Sequence, residues 1–197
     1  MRPNIAQDEP PTTLTVGGSV YGIETDYRVW LDVVHQLQTM PSSIDDEEDV
    51  RDVLNITREV ERLIFGHSIP VRPDELLQAV GEFARGYPSA PVSGAGGDGP
   101  DTYSLEYDLN EIIIAIRNSG GPDLSYHRKE PFHWWEFMLE VRTIAGDHAI
   151  TRLMELRGYD GKDARLLALK RRYALPPVTT AHDQRLLDAV DEMFYNT

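Results

Sequence analysis

The chain has 197 residues, 41% of them apolar and 26% charged, with no cysteine and a net charge of -14. That length can bury a hydrophobic core without staples, and the lack of cysteine excludes a disulfide framework, a thiolate nucleophile and a cysteine-ligated zinc. Residues 1–100 hold 17 acids and 7 bases, residues 101–197 hold 16 and 12, so most of the surface would repel a phosphate backbone or an anionic membrane. The opening MRPNIAQDEPPTTL has no apolar stretch of the kind a secretory signal needs. No apolar run approaches the roughly 20 residues that cross a bilayer. The expectation is a protein that binds neither nucleic acid nor membrane and stays in the cytoplasm of the cell that makes it.

Residues 1–12 carry three prolines and no periodicity, which reads as a flexible lead. Leu14 to Tyr21 places two β-rich pieces around Gly17-Gly18, a two-residue hairpin signal. Such a hairpin is marginal alone and must lie on something. Thr25 or Asp26 can cap a helix through Gln38 that carries Trp30, Val33, Val34 and Leu37 on one side. A second helix is predicted from about Ile44 to Phe65. Its first turn holds Asp45, Asp46, Glu47, Glu48 and Asp49, which suit the helix dipole and read as a solvated helix start. The run lacks the looped spacing and glycine turn of a calcium site.

Pro73 suits the first turn of a helix through Arg85, and the Gly/Pro-rich stretch at 86–100 reads as a mobile loop or hinge. No GK[ST] follows it, so it is not a phosphate-binding loop. Asp108 and Glu111 form an Asp-x-x-Glu capping box for a helix through Arg117, which Gly120-Gly121-Pro122 ends. Further helices are expected from Pro131 to about Ala145, from Ala149 to Arg157, from an Asp163 cap through Tyr173, and from about Ala181 to Tyr195. The last follows Pro176-Pro177 and carries Leu186, Leu187, Val190, Met193 and Phe194. The fold class is therefore mainly α: a compact helical bundle with a small N-terminal β-hairpin, organised as one domain over 13–175 with a C-terminal helix at 178–197. Its core should include Trp30, Leu37, Leu63, Phe83, Ile112, Ile116, Trp134, Met138, Val141, Leu153 and Leu156.

The most unusual stretch is Pro131 to Val141. On a helix, Trp134, Phe137, Met138, Val141, Ile144 and Ala145 fall in one broad stripe, and Phe132, Trp135 and Leu139 form a patch beside it. A helix apolar over most of its circumference is buried on two sides. It is either the central helix of one core or a core helix whose Trp135 face also contacts another chain, and residue type does not separate these. None of His35, His67, His127, His133, His148 and His182 falls in the metalloprotease spacing, so each reads as structural or surface histidine. His133 sits where it could cap its helix or bond a carboxylate. No Ser lies in a G-x-S-x-G setting and no carboxylate pair stands out. No catalytic residue, cofactor or metal is expected. Lys170-Arg171-Arg172, the one basic cluster, suits the last turn of its helix.

These residues resemble a known family. Tyr21-Gly22-Ile23-Glu24-Thr25-Asp26-Tyr27-Arg28-Val29-Trp30 looks like its strand-to-helix opening. Tyr107-Asp108, Ile112, Ile116 and Gly121-Pro122-Asp123-Leu124 look like its middle. His133-Trp134-Trp135-Glu136-Phe137, followed by Glu155-Leu156-Arg157, is similar to its most specific marker. The family is the bacteriophage "gene product 15" group, encoded in tail modules of long non-contractile-tailed phages and prophages. The loop at 86–100, and Arg142-Thr143 in place of a more apolar turn, depart from the pattern. The resemblance implies a non-enzymatic tail-assembly chaperone, in the host cytoplasm, whose partner is the tape-measure protein and which could form a homo-oligomer. A tape-measure protein is very long and carries apolar-striped helical segments that aggregate when uncovered, and a chaperone would hold them in apolar grooves. Phe132, Trp135, Leu139, Leu187, Val190 and Phe194 are the candidate partner-binding residues, and the helix after Pro176-Pro177 is a candidate movable element that fills a groove or swaps between copies. The alternatives are a structural tail or neck component of the virion and a small non-enzymatic regulatory protein.

Overall fold

The computed structural model describes residues 8–41, 43–87, 102–125 and 129–187. The protein is mainly helical, with one two-stranded antiparallel sheet near the N-terminus. In place of the single domain expected over 13–175, the chain forms two compact units. The described residues of 9–85 group with those of 177–187, here the flanking unit, and those of 86–176 group with Asp8, here the central unit. The chain thus leaves the flanking unit after Arg85 and returns to it at Pro177. The expected lead lies outside the described residues up to residue 7. So do most of the Gly/Pro loop, His127, and the final helix beyond Leu187 with Val190 and Phe194.

In the flanking unit, β1 (Thr13–Val16) and β2 (Ser19–Gly22) pair with Leu14 opposite Tyr21 and Val16 opposite Ser19. Gly17 and Gly18 take φ of 56° and 80°, the left-handed pair that a tight two-residue hairpin requires and that glycine adopts without strain. Alternation turns Leu14 and Val16 inward, and β1 lies on α3 (Pro73–Ala84), the support the marginal hairpin needs. Asp26 caps α1 (Tyr27–Gln38) by accepting from the Arg28 N–H. Trp30 is fully buried; its indole N–H donates to the Glu24 carbonyl at 2.8 Å, and its ring stacks on Phe83 of α3 at 4.4 Å. The long helix α2 (Glu47–Phe65) ends at Gly66 with φ of 73°, a left-handed C-cap. Its core stripe runs Ile56, Val60, Ile64. Leu63, expected in the core, is half-buried, because the stripe at steps of four passes through Ile64 instead.

In the central unit, α4 (Leu109–Asn118) packs against α5 (Trp134–Thr143) and α6 (Ala149–Arg157), and α6 packs against α7 (Ala164–Arg172). Ile112, Ala115 and Ile116 form the buried face of α4. Trp134 and Phe137, 5.6 Å apart, and Ile150 lie fully inside, while Val141, Leu153 and Leu156 are half-buried. The helix expected from Pro131 starts three residues later, because the His133 imidazole caps it, Nδ1 accepting the Trp135 N–H at 3.0 Å. Asp163 caps α7 as expected. Asp108 precedes α4 without capping it by its side chain, so the expected capping box is absent. Its carboxylate is drawn to Arg157 instead.

Candidate functional site

Among the described residues, two clusters bring buried carboxylates together with guanidinium groups far away in sequence. The first lies at the start of α2, in the run of acids that reads from the sequence as a solvated helix start. Glu47 and Glu48 are solvated, but Asp49 is 0% exposed. Asp46 and Asp49 form a reciprocal capping box: Asp46 Oδ1 accepts the Glu48 and Asp49 N–H groups, both at 2.8 Å, and Asp49 Oδ2 accepts those of Asp45 and Asp46 at 2.9 and 3.2 Å. The other oxygen of Asp49 is met by the helical segment 181–187. His182 Nδ1 lies 3.0 Å from Oδ1 and Arg185 Nη2 2.5 Å from it. An ionised carboxylate offers no hydrogen, so His182 carries its proton on Nδ1. Arg185 also reaches Glu48 at 2.7 Å and Asp52 at 3.1 Å.

The Asp49 carboxyl is pulled down to about 2, first by the Asp45 N–H; burial opposes this, and His182, the Asp46 N–H and Arg185 assist it. Ligand atoms of Asp46, Asp49 and His182 lie within 4.8 Å of one another, close enough to surround a cation. The cation present there is the Arg185 guanidinium, and the Asp46 Oδ1 and Asp49 Oδ2 oxygens are committed to backbone N–H groups.

The second cluster joins Asp108 and Arg157 of the central unit, both buried. Two parallel bonds of 2.6 and 3.0 Å link guanidinium and carboxylate. Two further Arg157 hydrogens go to the Tyr173 carbonyl at 2.8 Å and the Thr102 carbonyl at 3.2 Å, and Asp108 also accepts the Ser104 N–H at 2.9 Å. The pair fastens the start of α4, the end of α6, the end of α7 and the chain at 102–104. Both residues fall in the marker segments singled out above. Their contact, 49 residues apart, is not visible in either segment alone.

The candidate partner-binding residues are placed unevenly. Trp135 is 8% exposed, covered by an edge-to-face contact with Tyr87 at 5.0 Å. Gly86, with φ of 68°, passes so close to α5 that an added Cβ would stand 3.2 Å from Met138 Cβ. The Trp135 face is therefore closed from within the unit, with Phe132 and Leu139 half-buried beside it. Leu187 is exposed, as is Leu186. Val50 and Leu54, one turn apart on α2, are also exposed and were not singled out by sequence. Among the described residues no helix is long and apolar enough to cross a membrane.

Comparison with protein-family models, curated proteins and solved structures finds no match to this chain.

Proposed function

We propose that the protein is a non-enzymatic binding protein, a phage tail-assembly chaperone that holds apolar-striped helical segments of a tape-measure protein until they are used. The observation that carries this reading is the set of aliphatic side chains left in solvent on helices of the acidic flanking unit: Val50 at 43%, Leu54 at 36%, Leu186 at 56% and Leu187 at 55% exposure. Val50 and Leu54, one turn apart, and the neighbouring pair Leu186 and Leu187 offer apolar contacts to a partner helix, and the net charge of -14 keeps a loaded complex dispersed. The nature of the client follows from the resemblance carried by Tyr21–Trp30, Tyr107–Leu124 and the His133–Phe137 segment. Trp135, buried under Tyr87, supports the fold, and client contact is assigned to the exposed aliphatic positions.

The test is co-expression with the neighbouring tail proteins and a pull-down with this chain as bait. Capture of the tape-measure chain in soluble form is expected, with capture lost in Val50→Asp/Leu54→Asp or Leu186→Asp/Leu187→Asp while helical circular dichroism is unchanged. A well-folded bait that captures nothing would sink the chaperone reading. Recovery of the chain from purified particles would then assign it to the virion structure.

A further inference from the structure

The segment 177–187 reaches the start of α2 and the end of α1 through polar groups far away in sequence. Beside the contacts of His182 and Arg185, the Ala181 N–H donates to the Thr39 carbonyl at 2.8 Å. Its apolar side chains Val178, Leu186 and Leu187 stay in solvent. The helix is also self-started: Thr180 and Asp183 bond reciprocally, Thr180 N–H to Asp183 Oδ2 at 3.0 Å and Asp183 N–H to Thr180 Oγ1 at 3.1 Å. A segment that makes its own helix, returns from the other unit across Pro176-Pro177 and is seated by charge has the attributes of an exchangeable ligand.

We propose that the first turn of α2 is a receptor for a helix presenting His and Arg three residues apart, filled here by the chain's own His182 and Arg185 and able to accept the same segment from a second copy. The receptor is built before the ligand arrives. Asp49 is fixed by two backbone N–H groups with one oxygen pointing away from them; Glu48 accepts a second guanidinium hydrogen, and Asp52 adds its charge with Oδ2 3.1 Å from Nε but no hydrogen bond between them. The charged groups facing His182 and Arg185 are Asp46, Glu48, Asp49 and Asp52 from α2, with Asp183 beside them on their own segment. Arg forks onto carboxylates with a geometry that an ammonium does not reproduce, so a lysine at 185 would be a poor substitute. This inference stands apart from the client proposed above, since its ligand and its receptor both belong to this chain.

The test uses two full-length variants. One carries Asp49→Asn, which spoils the receptor and leaves the segment. The other carries His182→Ala and Arg185→Ala, which spoils the segment and leaves the receptor. Mixed, the two should form a heterodimer by mass that neither forms alone, and it should dissociate as salt rises from about 0.05 to 0.5 M. A labelled peptide of residues 177–197 should bind the segment-spoiled variant about tenfold or more tightly than it binds wild type or a variant that also carries Asp49→Asn. If Asp49→Asn costs helical content, Asp52→Asn with Glu48→Gln replaces it. Folded variants that stay separate on mixing, or a peptide that binds without regard to Asp49 or salt, would overturn the inference.

Discussion

Asp49 holds its charge in the interior because every lone pair it points has a donor. A carboxyl lowered from 3.8 to about 2 in the folded state binds its proton later than in the unfolded chain. Stability from this group is therefore fully present above the unfolded value and is lost as pH falls from about 4 toward 2. Wild type and Asp49→Asn should differ in urea midpoint by a constant amount above pH 5 and converge as the pH approaches 2; a gap that widened on acidification would contradict the assignment. Gly121 is a second residue fixed by its surroundings. A Cβ there would stand 2.8 Å from Ile116 Cγ2 and 2.9 Å from the Ile116 carbonyl oxygen, which the Gly121 N–H already bonds. Gly121→Ala should cost about 1–3 kcal/mol in thermal or urea unfolding, and Gly120→Ala, with open space at its Cβ but φ of 87°, should cost less.

At the scale of elements, local signals were legible and long-range ones were not. Gly17-Gly18, Pro73, Asp26 and Asp163 each act on the adjacent few residues, and the hairpin and helices they punctuate form where the spacing places them. Asp108 shows the limit. Its spacing to Glu111 fits a capping box, yet a guanidinium 49 residues away supplies a stronger, bidentate partner and takes the side chain. Asp49 shows the same limit at the start of α2, where four neighbouring acids suggested solvent. The signal that could have found it sits far downstream, in the Thr180-x-x-Asp183 box that starts a helix and the His182-x-x-Arg185 pair on one side of it. The Trp pair was read correctly as apolar on two sides, but both sides are covered inside one unit, by the α4 side of the core and by Tyr87. Arg157→Met should lose about 3–5 kcal/mol, because it leaves Asp108 buried and uncompensated, and adding Asp108→Leu should restore most of that loss. Urea denaturation of the four proteins in that double-mutant cycle measures the coupling; additive losses would remove the pair from the account of how α4, α6 and α7 are joined.

At the scale of the molecule, each unit has its own buried residues: Trp30, Val60 and Phe83 belong to the flanking unit, Trp134, Phe137 and Ile116 to the central one. Periodicity identifies which residues are apolar on a helix but not which helices share a core, and so the sequence read as one domain. Trp134→Ala should cost about 3–5 kcal/mol, and its effect should be confined. Native-state hydrogen exchange should show lost protection among amides of 102–176 while those of α1–α3 keep theirs. Loss spread evenly over both units would mean that they unfold as one.

The closing of the flanking unit by residues 177–187 carries a consequence for synthesis. On the ribosome, the hairpin and α1–α3 emerge first, and 91 residues belonging to the central unit separate Arg85 from Pro177. Arg185 follows Asp49 by 136 residues, so at about 5–20 residues per second the nascent chain carries Asp49 without its guanidinium for roughly 7–27 seconds. Throughout that interval the start of α2 is an open anionic socket on a growing polypeptide, and the arrival of His182 and Arg185 is what fills it.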